Sequence, residues 1–422
     1  MTERITATED LLRELAPQVL GVLVRRYGQF QLCEDATQEA LLAASVQWTA
    51  SGQLPDNPRG WLITVATRKL IDEVRSDQSR RQREMMREFA TPQSQLLAGP
   101  GDADTKDSDD SLALLFGCCH PDLSAPSQIA LTLRAIGGLS TAQIAAAFGV
   151  PQTSMAQRIS RAKQIVKDTD FTVRADRDRL PAVLHVLYLV FSEGYTASDG
   201  DELTAPALSD EAIRLTRWLY RLLPGQPASD RLECAGLLAL MLLTDARRSA
   251  RTRQDGSLVP LADQDRGIWD KDKIAEGTAL ITGALAHQEI GPYQLQAAIA
   301  AVHDEAATMD GTDWPQILAL YDLLEIAAPN PFTTLNRAVA VGQVQGPQAG
   351  LAVLDALDGD KRVAKHHRLF ATRAHLQELA GDTEAAIASY QYAARLSTSA
   401  TERRYLAMQA NRLSSARLNR PL

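Results

Sequence analysis

Four cysteines (Cys33, Cys118, Cys119 and Cys234) among 422 residues have no disulfide-framework spacing, which excludes a small disulfide-stapled scaffold. No apolar run approaches the roughly 18 residues of a membrane span. The acidic, polar start MTERITATEDLL is not a secretory signal, so a reducing cytoplasm is the expected setting. Basic charge is not in excess: 44 Lys and Arg against 52 Asp and Glu give −8, which argues against indiscriminate coating of nucleic acid. No strand-like alternation dominates. Between residues 180 and 290 there is no nucleophile–base pair, phosphate loop or metal-ligand spacing. Neither catalysis nor a cofactor is therefore expected.

What is present is apolar, helical and segregated in charge. Hydrophobic residues make up 45%, ample for real cores, and the length suggests about three domains. The fold class expected is all-α. Residues 9–87 read as several helices. In RGWLITVATRKLIDEVRS, Trp61, Val65, Ile71 and Val74 fit one stripe, with Arg68, Lys69 and Arg75 off it. In CEDATQEALLAASVQW the acids cluster toward the start, where the helix dipole favours them. Residues 90–110 are rich in Gly, Pro, Ser, Gln and Asp, as in a flexible acidic linker. The expected units are 1–89, the linker 90–110, a second small helical unit 111–172, a helical middle region 180–290 and a repetitive region 291–416.

The repeat is legible in its spacing. WPQILALYDLLEIAAPNP, PQAGLAVLDALDGD and GDTEAAIASYQYAARLS superpose with Tyr321, Asp355 and Tyr390 at equivalent places, 34 and 35 residues apart. That is the period of a tetratricopeptide (TPR) helix pair.

The stretch IAAAFGVPQTSMAQRISRAKQ suggests a helix-turn-helix. Ser140 and Gln143 form a capping box for a helix from Thr141 to Phe148. Gly149 suits a left-handed helix stop, and Pro151 suits the first turn of the next helix. In that helix Met155, Ile159, Ala162 and Val166 make one buried stripe. The opposite face shows Thr153, Gln157, Ser160, Arg161 and Gln164, side chains able to reach base edges or phosphates. Arg158 and Lys163 flank it and suit phosphates. The alternative is a helical hairpin with a solvated cationic face.

These segments, in this order, resemble an extracytoplasmic-function (ECF) sigma factor of bacterial RNA polymerase over about the first 170 residues. CEDATQEALLAA resembles the helix that docks on the polymerase clamp, which implies core-polymerase contacts for Asp35, Gln38 and Glu39. NPRGWLITVATRKLIDEVRS is similar to the helix pair that melts and reads the −10 element, which implies roles there for Trp61, Arg68, Lys69 and Arg75. STAQIAAAFGVPQTSMAQRISRAKQ resembles the motif that reads the −35 element, implying DNA contacts for Thr153, Gln157, Arg158, Ser160, Arg161 and Lys163. LFGCCHP, the stretch from Thr244 to Gly277 and NRAVAVGQVQGP resemble the ECF subgroup with a long TPR-containing C-terminal extension. The implied protein is a promoter-specific initiation factor with core RNA polymerase and promoter DNA as partners. It is not an enzyme, and its extension would contact its own sigma domains or polymerase. One position departs from the family: Arg68 stands where many members carry an Asn that captures a flipped base.

Each assignment has a plainer counterpart. Asp35 and Glu39 can be solvated helix charges, Trp61 a core tryptophan, and Arg68, Lys69 and Arg75 a solvated face balanced by Asp72, Glu73 and Asp77. Cys118, Cys119 and His120 could suggest a metal, but adjacent cysteines chelate one tetrahedral ion poorly and no second pair follows. The cluster of Asp245, Arg247, Arg248, Arg251, Asp263, Asp265, Arg266 and Trp269 reads as a salt-bridged structural loop, with a small-ligand pocket as the alternative. A helix-turn-helix regulator with a TPR-type sensor domain is the competing whole-chain reading.

Overall fold

The computed structural model describes residues 2–51, 53–85, 107–148, 150–168, 179–195, 206–223, 228–253, 255–287 and 289–418. Among these there is no strand, only one isolated antiparallel bridge between Thr252 and Leu258, so the chain is all-α. It divides into two compact units: residues 1–146 with 150–186, and residues 187–422 with 147–149.

In the first unit, α1 (Thr2–Tyr27), α2 (Phe30–Ser51) and α3 (Pro58–Met85) form a bundle. The α1–α2 turn needs two consecutive positive φ angles, Gly28 at 63° and Gln29 at 44°. Glycine takes the first without strain. The α2 face toward the bundle carries Cys33, Ala36, Ala40 and Ala44, small residues that let helices approach closely, and ends on the buried Trp48. Pro58 opens α3, and Asn57 Oδ1 accepts from the Gly60 amide at 2.8 Å, capping its first turn. The buried line of α3 is Leu62, Ala66 and Leu70, while Trp61, Val65, Ile71 and Val74 are half-buried at its edges. The expected stripe thus lies at the edges of the buried face, whose centre is the Leu62–Ala66–Leu70 line.

The second half of this unit comprises α4 (Asp107–Cys118), α5 (Ala125–Ala135), α6 (Thr141–Ala147) and α7 (Gln152–Ile165), closed by a 3₁₀ turn at Val166–Asp168. Helix α4 begins inside the stretch expected to be linker. Residues 107–110 form its first turn, and Asp110 is buried there. The rest of that expected linker, residues 90–106, lies outside the described residues.

The unit boundary falls within α8 (Leu180–Tyr195). In the second unit α9 (Pro206–Leu222), α10 (Ala228–Asp245) and α11 (Lys271–Leu285) precede α12 (Pro292–Glu305). Three helix pairs then follow: α13 (Trp314–Ala327) with α14 (Pro331–Gln345), α15 (Pro347–Asp355) with α16 (His367–Leu379), and α17 (Thr383–Leu396) with α18 (Ala400–Leu418). Each helix packs on its sequence neighbour, through leucines and Val363 around α14–α16 and through alanines with Tyr390, Leu406 and Leu413 around α16–α18. At the α14–α15 crossing, a Cβ on Gly350 would meet the Ala338 carbonyl oxygen at 2.6 Å, so only glycine permits that approach. An ion-pair device recurs between the first two pairs. Arg337 of α14 reaches Asp322 of α13 at 2.6 Å, and Arg373 of α16 reaches Asp355 of α15 at 2.6 Å.

Candidate nucleic-acid interface

The capping box forms in both directions. The Ser140 amide donates to Gln143 Oε1 at 2.8 Å and the Gln143 amide donates to Ser140 Oγ at 3.2 Å. This starts α6 after Gly138, whose φ is 70°. Gly149 lies outside the described residues. Pro151 sits at the N-cap of α7 and not inside its first turn, and its carbonyl accepts from the Met155 amide at 3.1 Å.

In α7, Met155, Ile159, Ala162 and Val166 are buried as a stripe. Thr153, Gln157, Ser160, Arg161 and Gln164 are exposed together on the other side, and Arg158 is half-buried between the two faces. This outward face carries a guanidinium, two amides and two hydroxyls, and no carboxylate. It can donate to phosphates and to base edges. Lys163 does not belong to it. Four residues after Ile159 and three before Val166, Lys163 lies at the edge of the buried stripe, and its ammonium pairs with Glu34 of α2.

Glu34 is the residue that motif reasoning passed over. It is 1% exposed and accepts from Arg134 Nε of α5 at 2.8 Å in addition to pairing with Lys163. The sequence offered one signal, an acid immediately after Cys33 on the small-residue face of α2. Its partners lie 100 and 129 residues away, beyond any local pattern.

On α2 the exposed residues Asp35, Glu39, Leu42 and Val46 form one stripe at i, i+4, i+7 and i+11, with Gln38 half-buried beside it. Leu42 and Val46 are 68% and 65% exposed, apolar side chains on a solvent face. The sequence reading missed both, although their spacing from Asp35 could have shown them. Asp35 accepts from Gln31 Nε2 at 2.9 Å. On α3, Arg68, Lys69 and Arg75 are exposed, and Trp61 stands edge-on to Trp48 at 5.4 Å. Lys69 pairs with Glu39 at 2.9 Å. Both groups are half in solvent, where such a pair contributes about 0–1 kcal/mol and opens readily.

Cys118 and Cys119 are buried between helices. Burial pushes the Cys119 thiol up to about 12 and the Cys118 thiol well above its ordinary value. Gln128 Nε2 donates to the Cys119 and His120 carbonyls at 3.2 and 2.9 Å, so this turn is held by a side-chain amide on its backbone. Among the described residues no group of three His, Cys, Asp or Glu side chains is placed to hold a metal ion.

The charged stretch from Asp245 to Lys273 binds itself and α12. Asp245, fully buried, takes Arg248 at 2.6 Å and Lys273 at 2.7 Å. Arg247 donates to Asp304 Oδ1 at 2.7 Å and to the Ala300 carbonyl at 3.0 Å. Arg266 caps the end of α12 through the His303 and Ala306 carbonyls, each at 2.6 Å. Trp269 packs against both guanidinium groups, at 5.3 and 4.8 Å from its ring centre. Arg251 lies over the Tyr195 ring at 3.6 Å. Asp265 accepts from the Gly267 amide at 2.8 Å. These contacts make a clamp on the end of α12.

Residues 11–81 match sigma-70 region 2 and residues 113–166 match sigma-70 region 4, so the first unit holds the two domains of a sigma-70-type factor. Residues 179–285 match a family of unknown function, DUF6596. The chain belongs to one family with an uncharacterized protein of Rhizobium meliloti (strain 1021), 41% identical over 415 residues and 94% of each chain. It is also similar to the probable ECF RNA polymerase sigma factor SigI of Mycobacterium tuberculosis (strains CDC 1551 / Oshkosh and ATCC 25618 / H37Rv). That likeness is 29% identity over 190 residues, 44% of this chain and 61% of the relative. No solved structure matches. Among the described residues no helix is long and apolar enough to cross a membrane.

Proposed function

We propose that this protein is a promoter-specific ECF-type initiation factor acting in the cytoplasm, where core RNA polymerase and DNA meet. The observation that carries the reading is the division of labour between two exposed faces. One is the acidic-to-apolar stripe of α2, and the other is the carboxylate-free polar face of α7. Asp35 and Glu39 would meet a basic polymerase surface, with Leu42 and Val46 burying apolar area beside them. Thr153, Gln157, Ser160 and Arg161 would read the −35 element, with Arg158 on phosphate. Arg68, Lys69 and Arg75 would hold the unpaired −10 strand by its phosphates. Trp61, anchored on Trp48, would stand at the duplex edge. Strand opening forms no covalent bond, so binding energy for the single-stranded state suffices.

The extension reads as a regulator or a polymerase-engagement module. Its three consecutive helix pairs, with the recurring Arg337–Asp322 and Arg373–Asp355 pairs, support a TPR-like array. Run-off transcription with purified core enzyme on genomic DNA, with mapped start sites, tests the main reading. Absence of specific starts would overturn it. A chain ending near residue 178 should differ markedly in activity from the full protein. Equal activity would remove the regulatory role.

A further inference from the structure

The region that matches DUF6596 holds a groove between helices. Helices α9 and α11 both pack on α10, and between them a groove is left with α10 as its floor. Arg217 of α9 and Glu276 of α11 bridge it midway, the guanidinium donating to both carboxylate oxygens at 2.9 to 3.2 Å. A cavity lies on either side of this bridge. In the one toward the start of α11, about 380 Å³, Arg214, Arg217 and Lys273 are each held by a carboxylate already, from Glu211, Glu276 and Asp245. The one toward the end of α11 is about 620 Å³, floored by Leu232 and Ala235 of α10 and walled by Leu280 and Ala284 of α11. Its cation is different. Arg231 lies over the Tyr220 ring at 4.6 Å, and among the described residues no carboxylate pairs with it.

A glycine in the cavity wall has no packing reason. Glycine inside a helix is less favourable than alanine, so it is kept where a side chain would clash or where space is needed. Gly277 of α11 is the first case, since a Cβ there would stand 2.7 Å from Leu243 Cγ. Gly283, in the last turn of the same helix, is the second. A Cβ at that position would meet nothing within 4 Å, and the residue lines the larger cavity. Nor is it a left-handed helix stop, because the positive-φ glycines lie elsewhere. Its missing side chain keeps the cavity open.

We propose that this larger cavity is a binding site for a small apolar carboxylate, its body on the Leu232, Ala235, Leu280 and Ala284 surface and its anion on Arg231. The volume falls within the roughly 300–1,000 Å³ of small-molecule sites, which are mostly apolar with a few placed polar groups. The guanidinium face is occupied by the Tyr220 ring, which leaves its edge donors to form the two parallel bonds that a carboxylate accepts. A single cation without its own carboxylate matches a singly charged anion. The Arg217–Glu276 bridge crosses the groove, so a partner helix could not lie along it. His287 stands exposed at the rim, a second donor for the same head group. The site lies wholly within α9, α10 and α11 and does not depend on the initiation-factor reading.

The test is titration calorimetry on the full chain with two probes of equal chain length, octanoate and octan-1-ol. Octanoate should bind saturably at one site and about tenfold or more tighter than the alcohol, because only the carboxylate forms charged hydrogen bonds with Arg231. Saturating octanoate should also raise the melting temperature, since it binds the folded chain. Arg231→Met should weaken octanoate about tenfold or more and leave octan-1-ol within about twofold. Gly283→Leu should abolish binding of both probes by filling the cavity, with a melting temperature at or above the native one, because leucine favours the helix. If Gly283→Leu melts lower, Ala279→Leu takes its place, one turn earlier on the same wall and exposed, and must block both probes. Absence of saturable octanoate binding would overturn the proposal. So would binding that survives the filled cavity, or an Arg231→Met variant that loses both probes alike.

Discussion

Replacing Arg247 by Met should loosen the clamp on α12 by a magnitude that the structure sets. The Asp304 carboxylate is fully buried and the Arg247 side chain 11% exposed, with 2.7 Å between them. Arg247→Met keeps an apolar stem but removes the guanidinium, which packs on Trp269 and pairs with Asp304, leaving that carboxylate charged and buried without its partner. Breaking one side of a buried pair costs about 3–5 kcal/mol. At 1.36 kcal/mol per power of ten, amide exchange through opening of α12 should speed up about a hundredfold to a few thousandfold. Native-state hydrogen exchange on peptides from 292–305 measures this. Adding Asp304→Asn in the same chain should restore much of the protection, since the orphaned charge is gone.

The pH dependence supplies a sign that a mere packing defect would not. Burial raises the Asp304 carboxyl above its ordinary value, and Arg247 now opposes that rise. Without Arg247 the folded value climbs further. A folded pKa raised above the unfolded one means that the folded state keeps a proton the unfolded chain releases. Stability from that source is present at low pH and lost as pH rises through the folded value. The deficit of Arg247→Met relative to the native chain should therefore shrink between pH 7 and pH 5. Exchange altered less than tenfold, no rescue by Asp304→Asn, or a deficit that grows in acid would refute the reasoning.

Three further outcomes are expected. Arg161→Ala should lower promoter-specific transcription about 5- to 150-fold, the equivalent of 1–3 kcal/mol for one base contact, with core binding unchanged. Loss of core binding would mean that α7 faces the enzyme. Leu42→Asp, at a 68% exposed position, should leave thermal stability within about 0.5 kcal/mol and weaken core-polymerase binding tenfold or more, measured by co-elution and titration. Unchanged affinity would remove the α2 stripe from that interface. Burial, with Arg247 and Arg266 nearby, lowers His303 to about 4 against its ordinary 6.5. The unfolded chain then takes up the proton first, so stability present above pH 6.5 should fall toward pH 4, by at most about 3 kcal/mol. His303→Gln should flatten that limb of the melting profile, and an unflattened limb would place the titration elsewhere.

Legibility followed distance along the chain. The capping box of α6, the buried stripe of α7 and the period of the helix pairs depend on neighbours three or four residues apart, or on a repeat about 34 residues long. A sequence displays all of these directly. The acids of Asp107, Asp109 and Asp110 misled because polar composition suits a linker and a helix N-terminus equally. The α3 stripe was displaced because alanine counts little in an apolar pattern, yet Ala66 is fully buried between Leu62 and Leu70 on the inward line of that helix.

By itself the sequence determined most of the helices, their order and the buried stripe of α7, since these follow from local hydrogen bonding and helical periodicity. Only the tertiary structure decided which charges are available. Lys163 and Arg161, two residues apart on a basic helix, differ in fate because Glu34 was brought from 129 residues away to one and not the other. Likewise Arg247 closes on Asp304 across 57 residues, and a cluster that could have been a pocket became a clamp. A buried charge takes whatever partner the packed helices bring within reach, and no local pattern encodes that partner.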